Sequence, residues 1–209
     1  MQDPGATTSR RPARLVVLAS GNGSNLQAVV DAAAAGTLPA EVVAVVSDQA
    51  AAGALTRAGA AGIPACHVGR HDGEARADYD ARLADVVAGF GPDFVVLAGW
   101  MRVLTMSFLG WFPNRVVNLH PALPGELPGI RAVERAWQEA LAGERTTTGV
   151  MVHLVPDEGV DDGPVLASLT VPIHPDDTLE TLSTRVHRAE HRLLVDTLAT
   201  LCRQEVPQR

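Results

Sequence analysis

The chain has 209 residues, 46% of them apolar and 20% charged, with a net charge of −7, a length and balance that suit one globular domain with a sizeable core. The acidic balance argues against a general nucleic-acid binder, which needs basic charge to displace counterions. Two cysteines, Cys66 and Cys202, do not make a disulfide framework and suit a reduced, cytoplasmic protein, and no apolar run approaches the roughly 18 to 20 residues that span a bilayer.

Residues 1–13 are polar and small, without the apolar stretch of a secretory signal. They are expected to form a disordered extension ahead of a single domain at 14–209. Leu15 to Ala19 is a β-branched run ending in Ser20-Gly21-Asn22-Gly23-Ser24-Asn25, followed by a helical stretch from about Asn25 to Ala35. Further strand-like runs lie at Val42 to Val46, Ala65 to Val68, Phe94 to Ala98 and Arg115 to Leu119. Helical stretches at about Ala51 to Ala61, Ala75 to Ala88 and Ala132 to Ala142 separate them. Short apolar strands alternating with helices predict an α/β fold whose parallel sheet is covered on both faces. Beyond residue 145, Gly149 to Val155 and Leu166 to Val171 read as two strands joined by the acidic loop Pro156 to Pro164. Thr178 to Cys202 then reads as one long helix, with Asp176 or Asp177 as its N-cap.

In open α/β sheets ligands bind beyond the carboxyl ends of the strands. Those ends carry Gly21 to Asn25, Asp48, Gly99 to Arg102, and Asn118 to Pro121. Strand, glycine-rich turn and helix together make an anion site, because glycines let backbone N–H groups approach a phosphate at the helix N-terminus. A dinucleotide fingerprint with Asp48 on a ribose is the sharper rival. It lacks its third glycine, since Leu26 stands there. A plain tight turn with Asn25 capping the helix is the bland alternative.

Asn118 and His120 are separated by one residue, so an extended segment points both side chains the same way. Pro121 then ends the strand. The loop Asp157-Glu158-Gly159-Val160-Asp161-Asp162-Gly163-Pro164 does not have the ligand spacing of a calcium-binding loop. A carboxylate from it is expected to orient His120 and, as a nearby negative charge, to raise its pKa.

The runs SGNGSNLQ (Ser20 to Gln27), VVLAGWMRVL (Val95 to Leu104), Asn118-Leu119-His120-Pro121 and DEGVDDGP resemble the phosphoribosylglycinamide formyltransferase family in order and spacing, from Arg14 to about Cys202. The resemblance implies a Rossmann-like, mostly parallel sheet of about seven strands. It also implies transfer of the formyl group of 10-formyltetrahydrofolate, as cosubstrate, to the amine of glycinamide ribonucleotide in purine synthesis. These small molecules would be its partners, with no metal, nucleic acid or membrane, in a monomer or homodimer. By the same resemblance Asn118, His120 and Asp161 are the catalytic trio, Asp161 because it stands three residues before Pro164. Gly23, Ser24 and Asn25 correspond to the substrate-phosphate loop, and Glu190 to a ribose contact. Arg76 and the segment Met101, Arg102, Val103 and Leu104 correspond to the folate site, with Asn118 beside them. The implied reaction is direct attack of the amine on the formyl carbon. Asn118 and a protonated His120 stabilise the oxyanion of the tetrahedral intermediate, and Asp161 keeps His120 charged. The segment Ala122 to Gly129 departs from the family's pattern, as does Arg131.

His187-Arg188-Ala189-Glu190-His191 spells the H-x-x-E-H pattern of some zinc proteases. The resemblance instead uses Glu190 without metal. His153 leads into the acidic loop and is a candidate pocket residue. The rival readings are another formyl-folate enzyme, such as formyltetrahydrofolate hydrolase or a sugar-nucleotide formyltransferase, and a non-catalytic nucleotide-binding module.

Overall fold

The β-branched runs pair into a sheet because each is apolar on both faces and needs cover on both. A computed structural model describes residues 11–204. Within them the chain runs β1 (Ala13–Leu18), α1 (Ser24–Ala34), β2 (Ala40–Ser47), α2 (Gly53–Ala60), β3 (Ala65–His67), α3 (Arg76–Ala88), β4 (Phe94–Leu97), α4 (Met106–Leu109), β5 (Val116–His120), α5 (Ala132–Leu141), β6 (Thr147–Leu154), β7 (Val165–Pro172) and α6 (Leu179–Gln204). The seven described strands form one sheet in the order β3-β2-β1-β4-β5-β6-β7. Strands β1 to β5 run parallel to one another, and β6 runs antiparallel to both β5 and β7. The α/β, Rossmann-like, mostly parallel architecture agrees with the expectation.

Alternate residues of one strand feed two separate cores, as the pleat requires. Leu15 and Val17 of β1 join Leu26, Val29, Leu194 and Leu198 under α1 and α6. Val16 and Leu18 join Tyr79, Leu83, Val87 and Phe108 under α3 and α4. Burying a side chain such as Leu83 or Leu194, both at 0% exposure, contributes about 2 kcal/mol each.

Three expectations are corrected. The extension expected through Ala13 is shorter, because Ala13 already pairs with Ala40 and Arg11 forms an ion pair with Asp93 at 2.7 Å; its first ten residues lie outside the described ones. The N-cap of α6 is Thr178 and not Asp176 or Asp177. The Thr178 hydroxyl accepts from the Thr181 N–H at 3.2 Å, and the Thr181 hydroxyl accepts from the Thr178 N–H at 3.0 Å, a reciprocal cap. Asp177 is engaged instead by Arg185, at 2.6 and 2.7 Å. Helix α4 had no counterpart among the expected elements, since four residues carry too little periodicity to read.

Candidate active site

Strand order reverses between β1 and β4, so the chain leaves their carboxyl ends in opposite directions and opens a crevice there. A cleft of about 340 Å³ occupies this region. Its walls come from the ends of β4, β5 and β6, the loop Gly159 to Asp161, and α6.

The glycine-rich turn feeds directly into α1. Gly23 takes φ +80, the left-handed region, and a Cβ there would stand 2.7 Å from Ala54 Cα. Conformation and crowding both therefore require glycine. Arg57 braces the turn by donating to the Asn22 carbonyl at 2.9 Å and its side-chain oxygen at 2.8 Å. No side chain caps α1, and Asn25 lies inside the helix. The capping role considered for Asn25 is thus not what the fold uses. Asn25 lines the cleft, whereas Gly23 and Ser24 sit at the helix start outside its lining.

Across from α1, Glu190 of α6 is 6% exposed. Burial pushes its carboxyl up to about 7, opposed by a hydrogen bond from Asn25. The Asn25 Oδ1 is itself buried without a partner. His187 lines the same cleft with its ring 3.9 Å from Glu190, but His191 does not line it. Among the described residues no three His, Cys, Asp or Glu side chains converge as metal ligands.

The segment Met101 to Leu104 lines the cleft and is fastened from behind. Its Met101 N–H donates to the Ser20 hydroxyl at 3.0 Å. Arg102 pairs with Asp48 at 2.7 Å and lies over the Tyr79 ring. Burial would push the Asp48 carboxyl up, but hydrogen bonds from Ser20, Gln49 and Arg102 hold it below its ordinary value. Asp48 is thereby a brace and not the ribose ligand of a dinucleotide site. Arg76 is not part of the cleft lining; its guanidinium donates to the Val103 carbonyl. It holds the segment from beside the cleft. The Thr105 N–H on Asp80, at 2.6 Å, and the Met106 N–H on Glu158, at 2.9 Å, complete the fastening.

Asn118, His120 and Asp161 meet at the cleft. The Asn118 Nδ2 donates to Asp161 Oδ1 at 3.0 Å, and His120 Nδ1 lies 3.2 Å from Asp161 Oδ2. Asp161 stands at φ +55, a left-handed conformation that aspartate tolerates better than most residues. It also accepts the Gly129 N–H at 2.7 Å. His153 pairs with Asn118 across the β5–β6 ladder, and its Nε2 faces Asn118 Nδ2 at 3.0 Å. Because His153 Nδ1 donates to the Leu154 carbonyl at 2.8 Å, its Nε2 is the acceptor. The far nitrogen of His120, Nε2, donates to the Leu127 carbonyl at 3.0 Å.

The electrostatics overturn one expectation. His120 is 4% exposed, and burial pushes its imidazole below the ordinary value even though the Asp161 charge pulls it upward. Desolvation of the cation outweighs the ion pair, so His120 is not held permanently charged. Burial pushes the Asp161 carboxyl up, yet His153, the Gly129 N–H and His120 bring it below its ordinary value. Both ring nitrogens of His120 face acceptors, Nδ1 the Asp161 carboxylate and Nε2 the Leu127 carbonyl. Sequence reading had His153 only as a candidate pocket residue and missed Leu127, Gly129 and Arg135. The one available signal was the antiparallel register that sets His153 opposite Asn118.

Residues 13–198 match the formyl transferase family. The chain is 42% identical over 200 residues to phosphoribosylglycinamide formyltransferase of Schizosaccharomyces pombe, covering 89% of this chain and 95% of that protein. It is 41% identical over 195 residues to the trifunctional purine biosynthetic protein adenosine-3 of Drosophila melanogaster, and spans 92% of this chain but only 14% of that longer protein. Among solved structures, glycinamide ribonucleotide transformylase 1 of Symbiobacterium toebii superposes with a TM-score of 0.89 at 35% identity. That match covers 99% of this chain and 95% of the other.

Proposed function

Since the chain belongs to the formyl transferase family, we propose that it transfers the formyl group of 10-formyltetrahydrofolate to the amine of glycinamide ribonucleotide, in de novo purine synthesis. The observation that carries this reading is the convergence of Asn118, His120 and Asp161 in one cleft. On one side of that cleft lies a braced, largely apolar segment, and on another the start of a helix without a side-chain cap. An apolar wall with a few convergent polar groups suits a flat heteroaromatic such as the folate. The open N-terminus of α1 suits the phosphate of the acceptor.

Formyl folate supplies the electrophilic carbon. The amine attacks it, a C–N bond forms, and the carbonyl oxygen takes up negative charge. In the resting network both Asn118 N–H groups are engaged, by Asp161 and His153. The developing oxyanion draws one of them away from His153 Nε2, and such a donor is typically worth roughly 3–4 kcal/mol at the transition state. The attacking nitrogen must lose a proton, and the His120 Nδ1 and Asp161 pair accepts it. With His120 largely neutral at rest, proton uptake creates an imidazolium beside a carboxylate, which offsets part of the cost of a buried cation. The proton then passes to the departing folate nitrogen as its C–N bond breaks.

The same proposal includes a single domain that begins at β1, cytoplasmic residence and a monomeric or homodimeric state. Among the described residues no helix is long and apolar enough to cross a membrane. The deciding assay follows deformylation of 10-formyltetrahydrofolate with and without glycinamide ribonucleotide. Turnover only with the amine is expected; turnover without it would make the protein a hydrolase, and none in either case would refute the proposal.

A further inference from the structure

The loop that follows His120 is fastened by a residue outside the trio. Arg135, in the second turn of α5, donates from Nη2 to the Leu127 carbonyl at 2.7 Å and to the Pro128 carbonyl at 2.6 Å. The Leu127 carbonyl is also the acceptor for His120 Nε2. Leu127 itself has φ +45, a left-handed conformation that is unfavourable for a leucine and persists only when neighbours hold it. The Nε of Arg135 is buried with no hydrogen-bond partner among the described residues. A guanidinium placed at that cost, with one nitrogen on two loop carbonyls, holds the loop in a single arrangement.

We infer that Arg135 is a positioning residue for His120, holding the Leu127 carbonyl against the ring's Nε2–H and leaving Nδ1, which faces Asp161, as the nitrogen that gains and loses the proton. The partner of one imidazole nitrogen decides which nitrogen carries the proton in the neutral ring. A backbone carbonyl on Nε2 selects the Nε2–H tautomer. Nδ1 is then bare and directed at the carboxylate that shares the cleft. Were the carbonyl to swing away, the neutral ring would prefer Nδ1–H on Asp161, and the proton acceptor of the proposed reaction would be lost. The charge of Arg135 also acts on His120 and helps keep the ring neutral. The other groups that bear on it are Asp161 from the β6–β7 loop and His153 from β6, while Glu190 and His187 of α6 line the same cleft.

This inference rests on the proposed reading of His120 as the proton acceptor in formyl transfer, and its test is arranged to fail separately. The full-length protein is labelled with 15N-histidine, and the His120 signals are identified by their loss in His120→Gln. Nitrogen shifts then report tautomer and titration midpoint without any substrate. In the unaltered protein the neutral ring is expected to be Nε2–H. Arg135→Gln removes both the charge and the two-carbonyl hold. It is expected to give a mixture of tautomers and a kcat lower by about tenfold with KM changed far less. Arg135→Lys keeps the charge but grips the carbonyls less rigidly. It is expected to show partial loss of tautomer purity and a kcat about threefold lower. Unchanged tautomer populations in the folded variants overturn the inference, even if both melt at lower temperature. If Arg135→Gln does not fold, the lysine variant alone decides by the same criterion. An unaltered protein that transfers no formyl group overturns the functional reading while the nitrogen shifts still judge Arg135.

Discussion

Glu190 offers a quantitative check on the site, because burial holds its carboxyl at about 7 against an ordinary 4.5. A carboxyl raised in the native state stabilises the fold relatively at low pH and loses that advantage as pH rises through its native value. Between those two values the native protein binds more protons than the unfolded chain, so stability falls with pH in that window and levels off above it. The loss amounts to roughly 3 kcal/mol. Glu190→Gln removes the ionisation and keeps the shape. Its amide accepts from Asn25 as the carboxyl does and can donate to the buried Asn25 Oδ1, which has no partner. The variant should match the unaltered protein in urea unfolding at about pH 5 and exceed it by up to about 3 kcal/mol at about pH 8. A gap of equal size at both pH values would refute the reasoning, since Glu190 would then titrate at an ordinary value. The proposed ribose contact by the ionised carboxylate predicts a second signature: KM for glycinamide ribonucleotide should fall as pH rises through about 7, and the glutamine variant should lose that dependence.

Asn118→Ala and His120→Ala should each lower kcat by at least about a hundredfold with the fold intact by circular dichroism; near-normal turnover in either would remove that residue from the trio. Asp161→Asn takes away the charge that raises the His120 pKa, so the acidic limb of the kcat/KM profile should move to lower pH while kcat falls about a hundredfold. An unmoved profile would count against the pairing. Gly23→Ala places a methyl group against Ala54 in a left-handed conformation. It should raise KM for the phosphate-bearing substrate more than about tenfold and lower stability by about 1 kcal/mol or more, as steady-state kinetics and thermal melts would show.

Much of the site is legible in the sequence, for local reasons. Asn118 and His120 share a direction because two residues is the period of a strand. Gly23 sits where a strand hands over to a helix, and the apolar runs of β1, β2, β4 and β5 announce a sheet covered on both faces. Asp161 was legible only through resemblance, because nothing local distinguishes it from Asp162. Arg76 was read beside the right segment, but its own contact there was not legible. Its guanidinium reaches the carbonyl of Val103, 27 positions away, and no local pattern encodes that reach. At the start of α6, local preference favoured an aspartate cap, but Arg185 eight residues on binds Asp177 and leaves the cap to Thr178.

By itself, then, the sequence determined the fold class, the strand-end location of the chemistry and the residue types that meet there, since these follow from short-range periodicity and backbone preference. Tertiary structure decided what those residues do to one another. His153 reaches Asn118 through antiparallel register, and Leu127 and Arg135 reach His120 through a loop folded back over the strand end. Whether the His120 ring is charged depends on a competition between burial and the Asp161 carboxylate. Pairing a histidine with an aspartate in a sequence reveals only the attractive half of that competition. The opposing half, desolvation, exists only once the chain has closed around the ring.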